Sequence, residues 1–198
     1  MPSNRSSEFV TALLLAGGEG RRMGGADKGW VELDGVPLAE RVAARLRPQA
    51  DALLISANRN LERYAALGDV VTDAPAYAGC GPLAGLEAGM AACSTDWLVT
   101  APCDLPLLPD DLAARLMAPL LRGEALLSVA RCDGHPHPVC MAVSAKLLPS
   151  LRGYLRDGGR KVREWQAQAG AAMVDFDDAP QAFRNLNTPD DLAAASRG

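Results

Sequence analysis

A chain of 198 residues, 48% of them apolar, has room for one substantial core and lacks the apolar excess of a membrane protein. Its net charge of −4, from 20 basic and 24 acidic residues interspersed along the chain, leaves no broad positive surface for a nucleic-acid backbone. Five cysteines, Cys80, Cys93, Cys103, Cys132 and Cys140, form no C-x-x-C pair, which argues against a disulfide framework and a structural zinc site and fits a reducing cytoplasm.

Residues 1–8 are polar and are expected to form a flexible terminus. Phe9 to Ala16 is too short an apolar run to span a bilayer, and it leads into glycines rather than a small-residue cleavage site. Phe9–Leu15 therefore reads as a strand buried on both faces of a parallel sheet, ended by Gly17-Gly18. Val36 to Leu46 carries apolar residues at helical spacing, with Arg41, Arg45 and Arg47 on the other face, and Leu53-Leu54-Ile55 follows as a second buried strand.

The alternation continues with a strand at Val70-Val71, a helix over Pro82–Cys93, a strand at Trp97–Thr100 and a helix over Pro109–Leu121. Ala125–Ala130 and Val139–Val143 can pair across the polar turn Asp133–His137, adding a small antiparallel element. Helices are expected at Ala145–Leu155 and Arg160–Ala169, and Thr188-Pro189-Asp190-Asp191 is a cap that opens a last helix. The fold class implied is α/β: one three-layer, doubly wound domain over 9–198 with a mostly parallel, Rossmann-like sheet.

After the first strand the chain places five glycines in nine residues, Gly17 to Gly25, with Arg22 and Lys28 close by. Glycines let successive N–H groups converge on phosphate oxygens, and the two cations can offset anionic charge. The loop is not a dinucleotide fingerprint, because Met23 stands where G-x-G-x-x-G needs its third glycine, and no Gly-Lys-Ser/Thr makes a P-loop. Phosphate binding accounts for this density of glycine better than a tight turn does. Asp104 follows the strand Trp97–Thr100, at the carboxyl end where ligands of open α/β sheets bind. A lone carboxylate there suits Mg²⁺, although an isolated aspartate more often makes a turn or an N-cap.

The stretch L-A-G-G-x-G-x-R-M-G-G-x-D-K, from Leu15 to Lys28, resembles the signature loop of the nucleotidyltransferase superfamily, most closely its molybdenum cofactor guanylyltransferase branch. The resemblance implies that Leu15, Ala16, Gly17, Gly18, Gly20 and Lys28 hold a triphosphate, and it assigns Arg22, Lys28 and Asp104 to catalysis, with Asp104 in P-C-D-x-P as the metal ligand. It places Asp73 on the nucleotide and Gly81-Pro82-Leu83 near base and ribose, residues that a strand end and a helix start explain as well. It also puts Ser56 and Asn58 on the nucleotide: Asn58 and Arg59 match the family's N-x-N-R, whereas Ser56 stands where relatives commonly carry asparagine and offers one hydroxyl for an amide's donor and acceptor.

Across residues 109–198 the resemblance continues through His137-Pro138, Gly159-Arg160-Lys161-Val162, Val174-Asp175-Phe176 and Phe183–Pro189. It implies a nucleotide half over about 9–108 and an acceptor half after it, with His137, Arg160, Lys161, Asn185 and Asn187 toward the acceptor. Read alone, His137 is a turn residue and Arg160 and Lys161 a solvated helix face.

The implied activity is transfer of GMP from GTP to molybdopterin, the molybdenum cofactor precursor, with Mg²⁺ and loss of pyrophosphate. L-A-G-G points to guanine, since cytidylyl relatives tend towards L-A-A-G. The alternatives are transfer from CTP or to another phosphate acceptor, and a nucleotide or cofactor carrier without turnover. A cytoplasmic monomer is expected, with small-molecule substrates, transient contacts to other molybdenum-cofactor proteins, and neither nucleic acid nor membrane as partner.

Overall fold

The structure is a computed structural model, described over residues 9–16, 27–186 and 191. The expected flexible terminus, the glycines and Arg22 of the phosphate loop, Asn187 and the Thr188 cap lie outside the described residues.

In chain order the strands are β1 (Val10–Leu15), β2 (Glu32–Leu33), β3 (Val36–Pro37), β4 (Ala52–Ser56), β5 (Asp69–Val71), β6 (Trp97–Pro102), β7 (Leu127–Cys132), β8 (His135–Ser144) and β9 (Ala172–Asp175). The helices are α1 (Leu38–Leu46), α2 (Leu61–Ala65), α3 (Pro82–Ala92), α4 (Leu112–Leu121), α5 (Leu148–Arg156) and α6 (Val162–Gln168). Seven strands form one sheet in the order β5-β4-β1-β6-β8-β7-β9, while β2 and β3 pair separately. β5, β4, β1 and β6 are parallel neighbours, β8 runs antiparallel to β6 and β7, and β9 is parallel to β7.

Successive strand residues point to opposite faces, and β1 uses both. Val10, Ala12 and Leu14 pack with Val42 and Leu46 of α1 and Leu112 and Leu116 of α4, whereas Leu13 packs with Leu83 and Leu86 of α3, Leu151 of α5 and Trp165 of α6. The result is the expected three-layer, doubly wound sheet.

α3 lies deepest, with every residue from Leu83 to Met90 buried. Its close approach depends on Gly85 and Gly89. A Cβ at Gly85 would stand 2.3 Å from Ser56 Oγ, and one at Gly89 would stand 2.5 Å from Leu13 Cδ2.

Three sequence expectations are corrected and one strand is added. The helix expected from Val36 begins at Leu38, because Val36 and Pro37 return from an Asp34-Gly35 turn with φ of 52° and 74° to pair with Leu33 and Glu32. The Asp133–His137 turn shrinks to Asp133-Gly134 with φ of 49° and 72°, which puts His135 opposite Cys132 and His137 inside β8. A two-residue turn with both φ values positive matches the twist of the strands it joins. Arg160 and Lys161 precede α6 instead of lying on it, since Lys161 is its extended N-cap residue with φ −97° and ψ 119°. β9 was not anticipated at all, being four residues long on the outer edge.

Candidate active site

The parallel strands end level with one another. Leu15 at the end of β1 stands opposite Ser56 of β4 on one side and Pro102 of β6 on the other, and Ser56 stands opposite Val71 of β5. Backbone hydrogen bonds carry this edge one residue further: Ala16 N donates to Ser56 O at 2.9 Å, Ala57 N to Val71 O at 3.0 Å, and Cys103 N to Leu15 O at 3.1 Å. From β1 the chain first adds strands on one side and then crosses to the other, so the crevice at the carboxyl ends of β1 and β6 is a topological switch point. The residue before the glycine loop and the residue before Asp104 are thereby pinned side by side.

Asp104 and Lys28 meet in that crevice. Lys28 Nζ donates to Asp104 Oδ2 at 2.6 Å, with the side chains only 17% and 15% exposed. The other carboxylate oxygen, Oδ1, is buried and has no hydrogen-bond partner among the described residues. An orphaned carboxylate oxygen is costly unless it gains a partner, and a hard oxygen ligand of this kind suits a divalent cation such as Mg²⁺. Asp104 O accepts from Leu186 N at 3.0 Å, which draws the Asn185 segment to the same place. Burial and the neighbouring Asp104 push the Cys103 thiol up to about 12, and burial then Asp104 also raise Cys140. Both are neutral thiols and neither is a nucleophile at ordinary pH.

On the β4–β5 side, exposed Asn58 accepts from Asp73 N at 2.9 Å, which joins two residues implicated in nucleotide binding. The Asp73 carboxyl titrates above its usual range, chiefly through desolvation, with Glu87 adding repulsion against the lowering effect of Asn58. Glu87 is a buried residue of α3 held by Arg152 of α5 at 2.7 Å.

Gly81 adopts φ 63° and ψ −146°, a region all but closed to other residues, and lets Pro82 start α3 at this edge. Gly81 and Pro82 are exposed, whereas the Leu83 side chain belongs to the core. Ser56 is 2% exposed and its hydroxyl lies under Gly85 of α3 instead of on the open edge.

On the β8 side, the His137 ring packs on Phe183 at 4.7 Å between centroids, and the chain from Phe183 runs through Asn185 to Leu186 and Asp104. Burial, Arg163 and His135 all lower the His137 pKa, so its ring is neutral at pH 7. Arg163 donates to Pro136 O at 3.1 Å, a contact of α6 with β8 not foreseen from the sequence. Arg160 instead donates to the carbonyls of Leu155 and Gly159, and exposed Lys161 pairs with Glu164 at 2.7 Å. The structure thus brings Lys28, Asp104 and the Asn185 segment together and gives Arg160 and Lys161 local partners. Sequence reading also missed Asp27, Asn60 and Tyr64, which join the start of Lys28's segment to α2. The aspartate of the D-K pair was the available signal.

Residues 12–172 match the MobA-like NTP transferase domain family. The chain is 47% identical over 194 residues to a molybdenum cofactor guanylyltransferase of Cupriavidus metallidurans, covering 94% of each chain. It is 42% identical over 188 residues to the protein of that name from Shewanella amazonensis, covering 95% of this chain and 96% of the relative. Its fold is similar to that of the molybdopterin-guanine dinucleotide biosynthesis protein A of Archaeoglobus fulgidus, with a TM-score of 0.78 at 23% identity over 94% of this chain and 97% of that one. The chain belongs to the MobA-like NTP transferase domain family.

Proposed function

We propose that this protein transfers GMP from GTP to the terminal phosphate of molybdopterin, forming the guanine dinucleotide cofactor and releasing pyrophosphate. The observation that carries the reading is the Lys28–Asp104 pair at the switch point, with one Asp104 oxygen left without a partner among the described residues. The names of the relatives at 42–48% identity supply the substrates.

An oxygen of the acceptor phosphate attacks the α-phosphorus, and the bond from that phosphorus to the pyrophosphate oxygen breaks. The attacking oxygen is already anionic, so no general base is required and the neutral thiols of Cys103 and Cys140 have no step to perform. Positioning and charge neutralisation carry the catalysis. Lys28 and Arg22 offset triphosphate charge, the amides of Gly17, Gly18 and Gly20 after Leu15 and Ala16 set its path, and Asp73, Asn58 and Ser56 with Gly81, Pro82 and Leu83 form the nucleoside side. Ser56 and Leu83 have buried side chains, and Ser56 O already accepts from Ala16 N, so these two shape that side from beneath. Asp104 would hold Mg²⁺, which when bound offsets charge on the phosphates of the transition state.

On the acceptor side, His137 and Asn185 form the nearer group, Asn187 keeps the role implied by the resemblance, and Arg160 and Lys161 reach an acceptor only by exchanging their present partners. No helix of the described residues is long and apolar enough to cross a membrane. A cytoplasmic monomer acting on small molecules completes the proposal.

The test is incubation with each of the four nucleoside triphosphates, Mg²⁺ and molybdopterin, followed by product mass and pyrophosphate release. The expected result is a guanine dinucleotide and pyrophosphate from GTP alone. Product from CTP would make the protein a cytidylyl enzyme, and binding without pyrophosphate would make it a carrier.

A further inference from the structure

Asp27 ends the glycine loop and immediately precedes Lys28, and its carboxylate is held by three donors. It accepts from Gly29 N at 3.2 Å and from the Tyr64 hydroxyl at 2.7 Å on Oδ1, and from Asn60 Nδ2 at 2.8 Å on Oδ2. Two of these donors come from α2 and its N-cap residue Asn60, which follow on the Asn58-Arg59 segment after β4.

The receiving side is closely packed. Tyr64 is fully buried, its ring 4.8 Å from that of Trp30, and the Arg63 guanidinium lies 3.9 Å over the Trp30 ring. The Tyr64 hydroxyl fits beneath the backbone only because residue 29 is glycine, since a Cβ there would stand 2.3 Å from it. Asn60 presents its amide from a left-handed conformation, φ 53° and ψ 35°, which asparagine tolerates. Burial and the bond to Asp27 raise the Tyr64 pKa, which keeps it a donor at neutral pH.

We infer that Asp27, gripped by Asn60 and Tyr64, is a positioning residue that sets Lys28 for the triphosphate; this rests on the reading of Lys28 under Proposed function. A lysine reaches its target through a flexible four-carbon stem, so where its ammonium falls depends on a fixed backbone. The clamp holds residues 27–30 against α2 while Lys28 projects to Asp104. It also engages both oxygens of the Asp27 carboxylate with donors.

The test is a double-mutant cycle. Tyr64→Phe and Asn60→Gly are each measured for kcat/KM toward GTP in the native chain and in Lys28→Ala, with unfolding midpoints recorded and assays run well below the lowest. Asn60→Gly removes the amide while keeping a residue that accepts positive φ. In the native chain each variant is expected to lower kcat/KM roughly 10-fold, mainly through KM, and in Lys28→Ala to cause no further loss. Equal losses in both backgrounds, or none in the native chain, would overturn the inference while leaving Lys28 in its role. An unchanged kcat/KM in Lys28→Ala alone would overturn the reading of Lys28 and the inference with it.

Discussion

Lys28 and Asp104 stand 76 positions apart in the chain, yet the lysine ammonium lies 2.6 Å from one carboxylate oxygen of the aspartate. The register of β1 with β6 makes this meeting possible, because Leu15 and Pro102 are paired at the strand ends from which the two segments depart. The pairing leaves Asp104 with a second, buried oxygen for which no described residue provides a donor.

Replacing the lysine should separate the two binding events. In Lys28→Ala, GTP affinity is expected to fall by about 10- to 150-fold, the equivalent of a lost charge-assisted contact of roughly 1.5–3 kcal/mol. Mg²⁺ binding without nucleotide should strengthen, because an ammonium no longer competes for Asp104. Calorimetric titrations with GTP and with Mg²⁺ alone check both directions, and unchanged GTP affinity would return Lys28 to a structural role.

Asp104→Asn keeps the shape but removes the negative charge. Turnover should drop by about a hundred- to a thousand-fold or more across a full Mg²⁺ titration, and chelation of Mg²⁺ should stop the unmodified protein in the same assay. Stability should fall by only about 1–3 kcal/mol, since one ion-pair partner is lost from a half-closed site. Near-normal activity at ordinary Mg²⁺ would shift attention to Asp73 as the ligand.

Asp73 provides a prediction in pH. Its folded pKa is raised above the ordinary 3.8, chiefly by desolvation, so its stabilising contribution is complete below the unfolded value and is lost as pH rises through the folded one. Asp73→Asn does not titrate. The melting temperature of the variant minus that of the unmodified protein should therefore grow from pH 4 to pH 7, while the variant binds GTP more weakly. A flat or shrinking difference would contradict the desolvation of Asp73.

Gly85→Ala tests how closely α3 sits on the sheet. The new Cβ meets Ser56 Oγ at 2.3 Å, so α3 or β4 must shift, at about 1–3 kcal/mol in urea unfolding. Ser56→Gly removes that hydroxyl. Combining the two should recover part of the loss, and an additive pair would mean that the strain lies elsewhere.

Local order was written plainly in the residues. The apolar runs of β1, β4 and β6, the alternation of strand with helix, and the glycines after β1 follow from periodicity and backbone freedom, which depend on neighbours in the chain. Asp104 could be placed at a strand's carboxyl end on the same grounds. The family resemblance came from the order of such motifs.

Tertiary structure decided what those motifs touch. Asp34-Gly35 turns the chain before α1, a local cue hidden by apolar spacing that starts one residue later at Val36. β9 is too short to stand out and acquires its identity from pairing with β7. Ser56 reads as an edge residue, but Gly85 lets α3 descend over it. Arg160 and Lys161 carry charges whose partners are chosen by the loop between α5 and α6. The clamp on Asp27 and its link to Lys28 depend on side chains brought together by strand order and register, and no spacing along the chain encodes a distance across the sheet.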